Sequence, residues 1–264
     1  MSRFTKPNSV GAGGPEWDWS RELALIALPI IAGGGDKLRN YGTLKNKGDG
    51  IGVAGKWGQS NGIGIQTSAG DTGLDVVANN LLPANNLSVA IRYHKTDATL
   101  RNSGLFGLST GGSGALMGVH GPWGDGRLIW DFGGGVEGTS RLTISGLSAA
   151  DFTDAVWVFA TGSRGMEIWK NGVLQASNAG NPSRTPDTEP WGIGEHGIGA
   201  DAIHHSGLYV FKGQLNPGRI KQLSMDFHGR FRADDSGILL APPTATISGS
   251  VVPTVTEALV QAGV

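Results

Sequence analysis

The chain is a series of short apolar runs separated by glycine-rich turns. Val89, Ile91 and Tyr93 alternate with more polar positions in Ser88–Lys95, which is the pattern of a half-buried strand. Other apolar runs bounded by Gly, Ser or Thr predict strands at Leu23–Ile31, Leu74–Val77, Leu105–Leu108, Ala115–Val119, Arg127–Phe132, Arg141–Ile144, Trp191–Gly194 and Gly207–Lys212. From Leu74 onward these runs recur about every 10–13 residues, a spacing typical of a β-sandwich or barrel.

Residues Ala155–Ser177 carry the clearest local pattern. Apolar and aromatic positions alternate up to the turn at Gly162–Gly165, and alternation resumes after it. Asn171-Gly172 then supplies two residues that accept a positive φ, which is the signature of a type I′ hairpin turn. The segment therefore predicts a three-stranded antiparallel meander that ends in Val173–Ala176.

One short helix is predicted at residues 216–224. Asn216 is a favourable N-cap and Pro217 occupies the first helical position. Ile220 and Leu223 place apolar side chains three residues apart on one helix face.

The two ends of the chain differ from its centre. Residues 1–20 are polar and are predicted to form an N-terminal arm, residues 21–233 a single sandwich domain, and residues 234–264 a linker and C-terminal arm. Within the last segment, Thr244–Val252 is rich in β-formers and is predicted to pair with the sheet of a neighbouring chain.

Composition and charge narrow the function classes. The 264 residues include 45 Gly, 8 Trp and no Cys, with a formal net charge of -1. The glycines follow no triplet period, which excludes collagen, and the apolar content supports a packed core. The lack of basic excess argues against a nucleic-acid partner. The longest apolar run, Leu23–Ala32, is too short to span a membrane, and the absence of Cys excludes disulfides and thiol chemistry.

The sequence resembles the concanavalin A-like lectin/glucanase superfamily, in the laminin-G-like form common in bacteriophage and prophage virion proteins. The similarity covers roughly residues 22–232 and is carried by Asn40–Leu44, Gly73–Val76, Val156–Leu174, Trp191–Gly194 and Leu215–Leu223 with Asp226, Phe227 and Phe231. Arg219 replaces the usual acidic residue, and Phe227-His228 replaces Pro-Trp. The resemblance implies an all-β, antiparallel two-sheet β-sandwich of jelly-roll type, with one short helix.

Catalytic motifs of that superfamily do not occur in the sequence. Glycosidases of the glucanase branch carry carboxylates at alternating strand positions, as E-x-D-x-E, and a retaining enzyme needs two of them about 5 Å apart. Here Glu137, Glu167, Glu189 and Glu195 each stand alone, and Asp131 has no acidic residue two positions away. The match to G-x-G-x-x-G at 192–197 has no βαβ context and is interpreted as a glycine-rich turn. We therefore expect no enzymatic activity.

Metal binding has little support in the sequence. His204-His205 could bind a metal with Asp201 or His196, but adjacent strand residues point to opposite faces, so we expect exposed loop histidines. Calcium sites occur in the superfamily, so calcium is possible although no cofactor is predicted; the available oxygen ligands are those of Asp71, Asp75 and Asn79.

The segment His120–Gly126 is the candidate binding loop. It presents Trp123 between His120 and Asp125, and His204 completes the set of candidate ligand- or partner-binding residues. Trp123 has three interpretations: a platform for a sugar ring, an anchor in a subunit interface, or a side chain folded back over its own core.

Three function classes remain, in descending order of support. The resemblance and the arms favour a non-enzymatic bacteriophage virion structural protein, a capsid decoration or tail-associated protein located in the virion. Its partners would be other virion proteins bound through the terminal arms, or further copies in a homo-oligomer, with no nucleic acid and no membrane. The alternative is a carbohydrate-binding module that recognises a cell-surface glycan, and a glycosidase is disfavoured.

Overall fold

The computed structural model describes residues 24–29, 37–38, 44, 51–52, 57–58, 64–67, 74–95, 98–108, 113–194 and 203–227. The predicted arms at residues 1–20 and 234–264, including Thr244–Val252, lie outside these residues and stay predictions. No helix among the described residues has the length and apolar character needed to cross a membrane.

Strands dominate the described chain. They are β1 Ala24–Pro29, β2 Lys37–Leu38, β3 Ile51–Gly52, β4 Trp57–Gly58, β5 Gly64–Thr67, β6 Leu74–Ala78, β7 Leu87–Lys95, β8 Gly104–Leu108, β9 Met117–His120, β10 Leu128–Phe132, β11 Arg141–Ile144, β12 Ala155–Gly162, β13 Gly165–Lys170, β14 Val173–Asn178, β15 Pro190–Ile193 and β16 Ile203–Lys212. The helix α1 spans Pro217–Met225, and 3-10 turns occupy Asn79–Leu81, Ser113–Ala115 and Ala149–Phe152.

Two antiparallel sheets organise these strands. The larger has the order β14-β13-β12-β7-β16-β5-β4, and β1 also pairs with β16. One side of β16 is therefore shared, since β5 pairs with Ile203–His205 and β1 with Gly207–Phe211. The smaller sheet has the order β11-β10-β9-β8-β15-β6, and β2 pairs with β3 apart from both.

The core lies between the two sheets. Alternation along β12 directs Trp157 and Phe159 into it. The Phe159 ring lies 5.5 Å from Phe106 and 5.8 Å from Trp130, measured between ring centroids, and both partners belong to the smaller sheet. Aromatic contacts thus join the sheets directly, and the predicted all-β, two-sheet antiparallel sandwich with one short helix is confirmed.

The helix α1 covers the outer face of the larger sheet. Ile220 and Leu223 are buried there with Trp169 and Tyr209. The Asn216 side chain accepts a hydrogen bond from the Arg219 backbone N–H at 2.9 Å, as an N-cap does. The predicted helix and its cap are therefore confirmed, and α1 forms a second, smaller apolar layer outside the sandwich.

The meander is also confirmed. β12, β13 and β14 pair in sequence, and φ is 48° at Asn171 and 78° at Gly172, as a type I′ turn requires.

Two strand starts differ most from the sequence prediction. Ala115 ends a 3-10 turn, and β9 begins only at Met117. β16 begins at Ile203 rather than Gly207, so His204 and His205 lie in a strand and not in the expected loop. The reason is that β7 and β5 pair with β16 on both sides here, and two hydrogen-bonded ladders outweigh the polar local sequence.

Candidate functional site

The loop at residues 121–127 joins β9 to β10 and contains two predicted site residues. The Trp123 backbone N–H donates to the Arg127 carbonyl, and the Gly126 N–H donates back to the Trp123 carbonyl, both at 2.9 Å. Gly126 has φ +80°, and a Cβ there would collide with the Leu147 carbonyl oxygen. The glycine is therefore needed for the tight turn that presents Trp123.

A neighbouring segment fixes this loop. The Gly121 N–H donates to the Ser103 carbonyl at 2.6 Å, and the Gly124 N–H donates to Asn102 Oδ1 at 3.0 Å. The loop before β8 and the loop between β9 and β10 therefore form one hydrogen-bonded surface at the same end of the smaller sheet.

Trp123 is half-buried and is covered by Arg127. The guanidinium carbon lies 5.3 Å from the Trp123 ring centroid, and Asp125 Oδ2 accepts from Arg127 Nε at 2.8 Å. The side chains of Asp125 and Arg127 remain 54% and 44% exposed. The long, positively charged Arg127 side chain therefore lies over the face of the indole ring. The indole Nε1–H is buried and has no hydrogen-bond partner among the described residues.

His120 lies at the end of β9, on the outer face of the smaller sheet. Its Nε2 is 3.2 Å from Asp131 Oδ2. Asp131 is fully buried and accepts from Arg141 Nε at 2.7 Å and from Arg141 Nη2 at 2.6 Å. Burial alone would raise the pKa of the Asp131 carboxyl, but the hydrogen bonds from Arg141 and His120 outweigh it and lower the pKa.

His204 belongs to the other sheet. Its backbone pairs with His94 of β7 and with Gln66 of β5 in the larger sheet. The structure therefore brings Trp123 and Asp125 into one loop and places His120 at the start of that loop. His204 does not join them, because it lies in the larger sheet.

Two polar clusters were missed by sequence reasoning. One is the Asp131–Arg141 pair, whose members are direct neighbours in the β10–β11 register. The other is Arg184, a buried side chain that donates to the main-chain oxygens of Asn79, Leu82 and Pro83 at 2.9–3.1 Å and to Asn79 Oδ1. Burial lowers the Arg184 pKa to about 10, which still leaves it protonated at neutral pH.

The described residues contain no group of three or more His, Cys, Asp or Glu side chains placed to hold a metal ion. The side-chain oxygen of Asn79, one of the suggested calcium ligands, accepts from the Arg184 guanidinium, and a cation already at that oxygen disfavours calcium. Asp71 lies outside the described residues, so the prediction of no cofactor, with calcium as a possibility, stays a prediction.

Neither a protein-family model nor a curated protein sequence matches the chain. Solved structures do resemble it. Trypanosoma rangeli sialidase in complex with 2,3-difluorosialic acid superposes with a TM-score of 0.56 at 13% identity, over 78% of this chain and 34% of the sialidase. The receptor binding domain of botulinum neurotoxin D gives 0.56 at 14% identity, over 78% and 53%. The binding domain of Paraclostridial Mosquitocidal Protein 1 gives 0.59 at 10% identity, over 80% and 53%.

These similarities define the fold. The chain spans about a third of the length of the sialidase and about half of the length of the other two proteins. At 10–14% identity they show a shared β-sandwich and no more. The chain is therefore an all-β sandwich protein with a loop-borne candidate site at one end of its smaller sheet.

Proposed function

We propose that this chain is a non-enzymatic structural protein on a concanavalin A-like sandwich, which works by binding other macromolecules. The family assignment is supported by the quoted motifs, because the meander and the closing helix occupy the elements that the resemblance implies. Two of the similar structures are themselves binding domains, from botulinum neurotoxin D and from Paraclostridial Mosquitocidal Protein 1.

The state of the carboxylates carries the proposal. Five described carboxylates each have an Arg or Lys nitrogen 2.6–2.9 Å away: Asp125, Asp131, Asp151, Asp154 and Glu167. Glycoside hydrolysis instead needs a carboxylic acid whose pKa is raised, so that it can give a proton to the leaving group. Among the described residues, Asp131 and Asp151 have a carboxyl pKa that is lowered, which is the direction opposite to that of a general acid. This arrangement favours binding over acid catalysis.

Catalysis is tested with the full chain and a panel of fluorogenic glycosides that includes a sialoside. We expect no release of fluorophore above a heat-inactivated control. Turnover that follows the purified protein through two chromatographic steps would overturn the non-enzymatic assignment.

The setting we propose is a bacteriophage virion, on the basis of the sequence resemblance. The test is mass spectrometry of gradient-purified particles from a strain that carries the gene. The chain should be enriched in the particle fraction in a fixed ratio to the major structural protein. Presence in the cells without presence in the particles would contradict a virion role.

A second candidate function is glycan recognition by the loop at 121–127. The observation that favours it is the buried indole Nε1–H of Trp123, which lacks a protein partner among the described residues, beside the exposed Asp125 carboxylate. A sugar hydroxyl would satisfy the indole donor, a second hydroxyl would donate to Asp125, and the ring face would stack on Trp123 once Arg127 moves aside.

Glycan-array binding followed by calorimetric titration tests this candidate. Trp123→Ala and Asp125→Asn should each weaken retention of the bound glycan. Asp154→Asn is the matched control, because Asp154 is an equally exposed carboxylate paired with an arginine on the larger-sheet side. Equal effects of Asp125→Asn and Asp154→Asn would refute a site at this loop, and melting curves verify that each variant is folded.

A further inference from the structure

Two histidines occupy directly paired positions in the larger sheet. His94 of β7 pairs with His204 of β16 in the antiparallel register. Residues that are paired in this way lie on the same face of a sheet, and their Cβ atoms are about 4.5–5.5 Å apart. The two residues are far apart in the sequence, so the register of the folded sheet is what brings them together.

The pair lies on the outer face of the larger sheet, the face that α1 covers in part. Ala90 of β7 is buried in the apolar layer that includes α1, and residues four positions apart along a strand share a face. His94 therefore belongs to the outer face, and it is partly exposed there. His205 follows His204 along β16 and belongs to the opposite face, where it pairs with Tyr93.

Among the described residues, the neighbours of this pair on the outer face carry no unbalanced positive charge. On its other side His204 pairs with Gln66 of β5, which is uncharged. Arg92 precedes His94 by two residues on the same face, and its guanidinium donates twice to Asp154 Oδ1, at 2.9 and 2.7 Å. The Asp154 carboxylate thus offsets the charge of Arg92, and the surroundings of the pair do not oppose the binding of a cation.

We propose that the His94–His204 position is a binding site for one divalent transition-metal ion of the kind that imidazole prefers, such as zinc, nickel or copper. The two imidazoles act as a chelate, and water completes the coordination of the ion. The bound ion joins β7 to β16, which are neighbouring strands in the middle of the larger sheet. The inference goes beyond the proposed function, since it needs neither a glycan nor a virion partner.

Isothermal titration calorimetry of the untagged full chain, with zinc ion alone as the ligand, tests this site. The wild type should bind one zinc ion per chain. His94→Gln and His204→Gln should each weaken binding at least about tenfold, which corresponds to about 1.4 kcal/mol. The reason is that either change leaves a single imidazole in place of the chelate.

His205→Gln is the matched control, because it removes an adjacent histidine from the opposite face and should leave the affinity unchanged. Circular dichroism verifies that each variant is folded. Zinc should also raise the free energy of unfolding of the wild type, measured in urea, more than that of His94→Gln, since a ligand of the folded state stabilises it. A wild type that binds no zinc would overturn the proposal. So would an affinity that survives His94→Gln, or one that His205→Gln weakens as much as His94→Gln does.

Discussion

Arg184 joins segments that are far apart in the sequence, and its removal is the sharpest test of the packing described above. In Arg184→Met the side chain keeps most of its volume but loses all donors. The main-chain oxygens of Leu82 and Pro83, which accept from Arg184 at 2.9 and 3.0 Å, would then lose this donor, whereas the Asn79 oxygen would lose one donor and keep the Leu82 N–H.

The size of the effect follows from these bonds. The bonds to the Asn79 and Leu82 main-chain oxygens and to Asn79 Oδ1 are buried, and the bond to the Pro83 oxygen is partly buried. Each such hydrogen bond contributes about 1 kcal/mol net, so we expect a loss of about 3–4 kcal/mol in the free energy of unfolding. That is a large share of the roughly 5–15 kcal/mol typical of a folded domain.

The control is Arg92→Met, which removes a half-buried arginine whose ion pair with Asp154 is exposed to solvent. Arg92 Nη2 lies 2.7 Å from Asp154 Oδ1, but exposed ion pairs contribute at most about 1 kcal/mol. Equilibrium urea unfolding followed by tryptophan fluorescence measures both variants. If Arg92→Met costs as much as Arg184→Met, or if Arg184→Met costs less than about 1 kcal/mol, the reasoning on buried acceptors is wrong.

Two further predictions concern turns and pH. Gly165 (φ +86°) and Gly138 (φ +79°) share a left-handed backbone, but only at Gly165 would a Cβ collide with the Asn178 carbonyl. Gly165→Ala should therefore lower the thermal midpoint of unfolding much more than Gly138→Ala, which should lower the free energy of unfolding by only about 1 kcal/mol. Equal decreases in the midpoint for the two variants would contradict the predicted collision. A hydrogen bond from Lys170 holds the Asp151 pKa at about 2, so this carboxylate stabilises the folded state above its usual pKa of 3.8. That contribution is lost as the pH falls toward 2. In Asp151→Asn the free energy of unfolding, measured by urea denaturation, should therefore decrease less steeply between pH 4 and pH 2 than in the wild type.

The elements that the sequence predicted best are those whose signals are local. The Asn171-Gly172 turn and the alternation on either side of it define the meander within about twenty residues. Asn216 and Pro217 define the start of α1 in the same way. The beginning of β16 was predicted too late, because His204 and His205 are polar and only pairing with β7 and β5 makes that segment a strand.

The candidate site was predicted in part for the same reason. Trp123 and Asp125 are close in sequence, and a tight glycine turn keeps them close in space. The cover of Arg127 over Trp123 depends on rotamers that composition does not reveal. The partners of Asp131 come from two neighbouring strands, and their register is set by the whole smaller sheet.

The position of β16 has a consequence for synthesis. Among the described strands of the larger sheet, β16 is the last to be synthesised, yet it lies beside β7 and also pairs with β1 and β5. A chain emerging from the ribosome therefore exposes the apolar edge of β7 until Ile203–Lys212 has followed it out. Folding of the larger sheet must wait for nearly the whole sandwich to be translated, and a chain interrupted before β16 would expose an aggregation-prone edge for chaperones to bind.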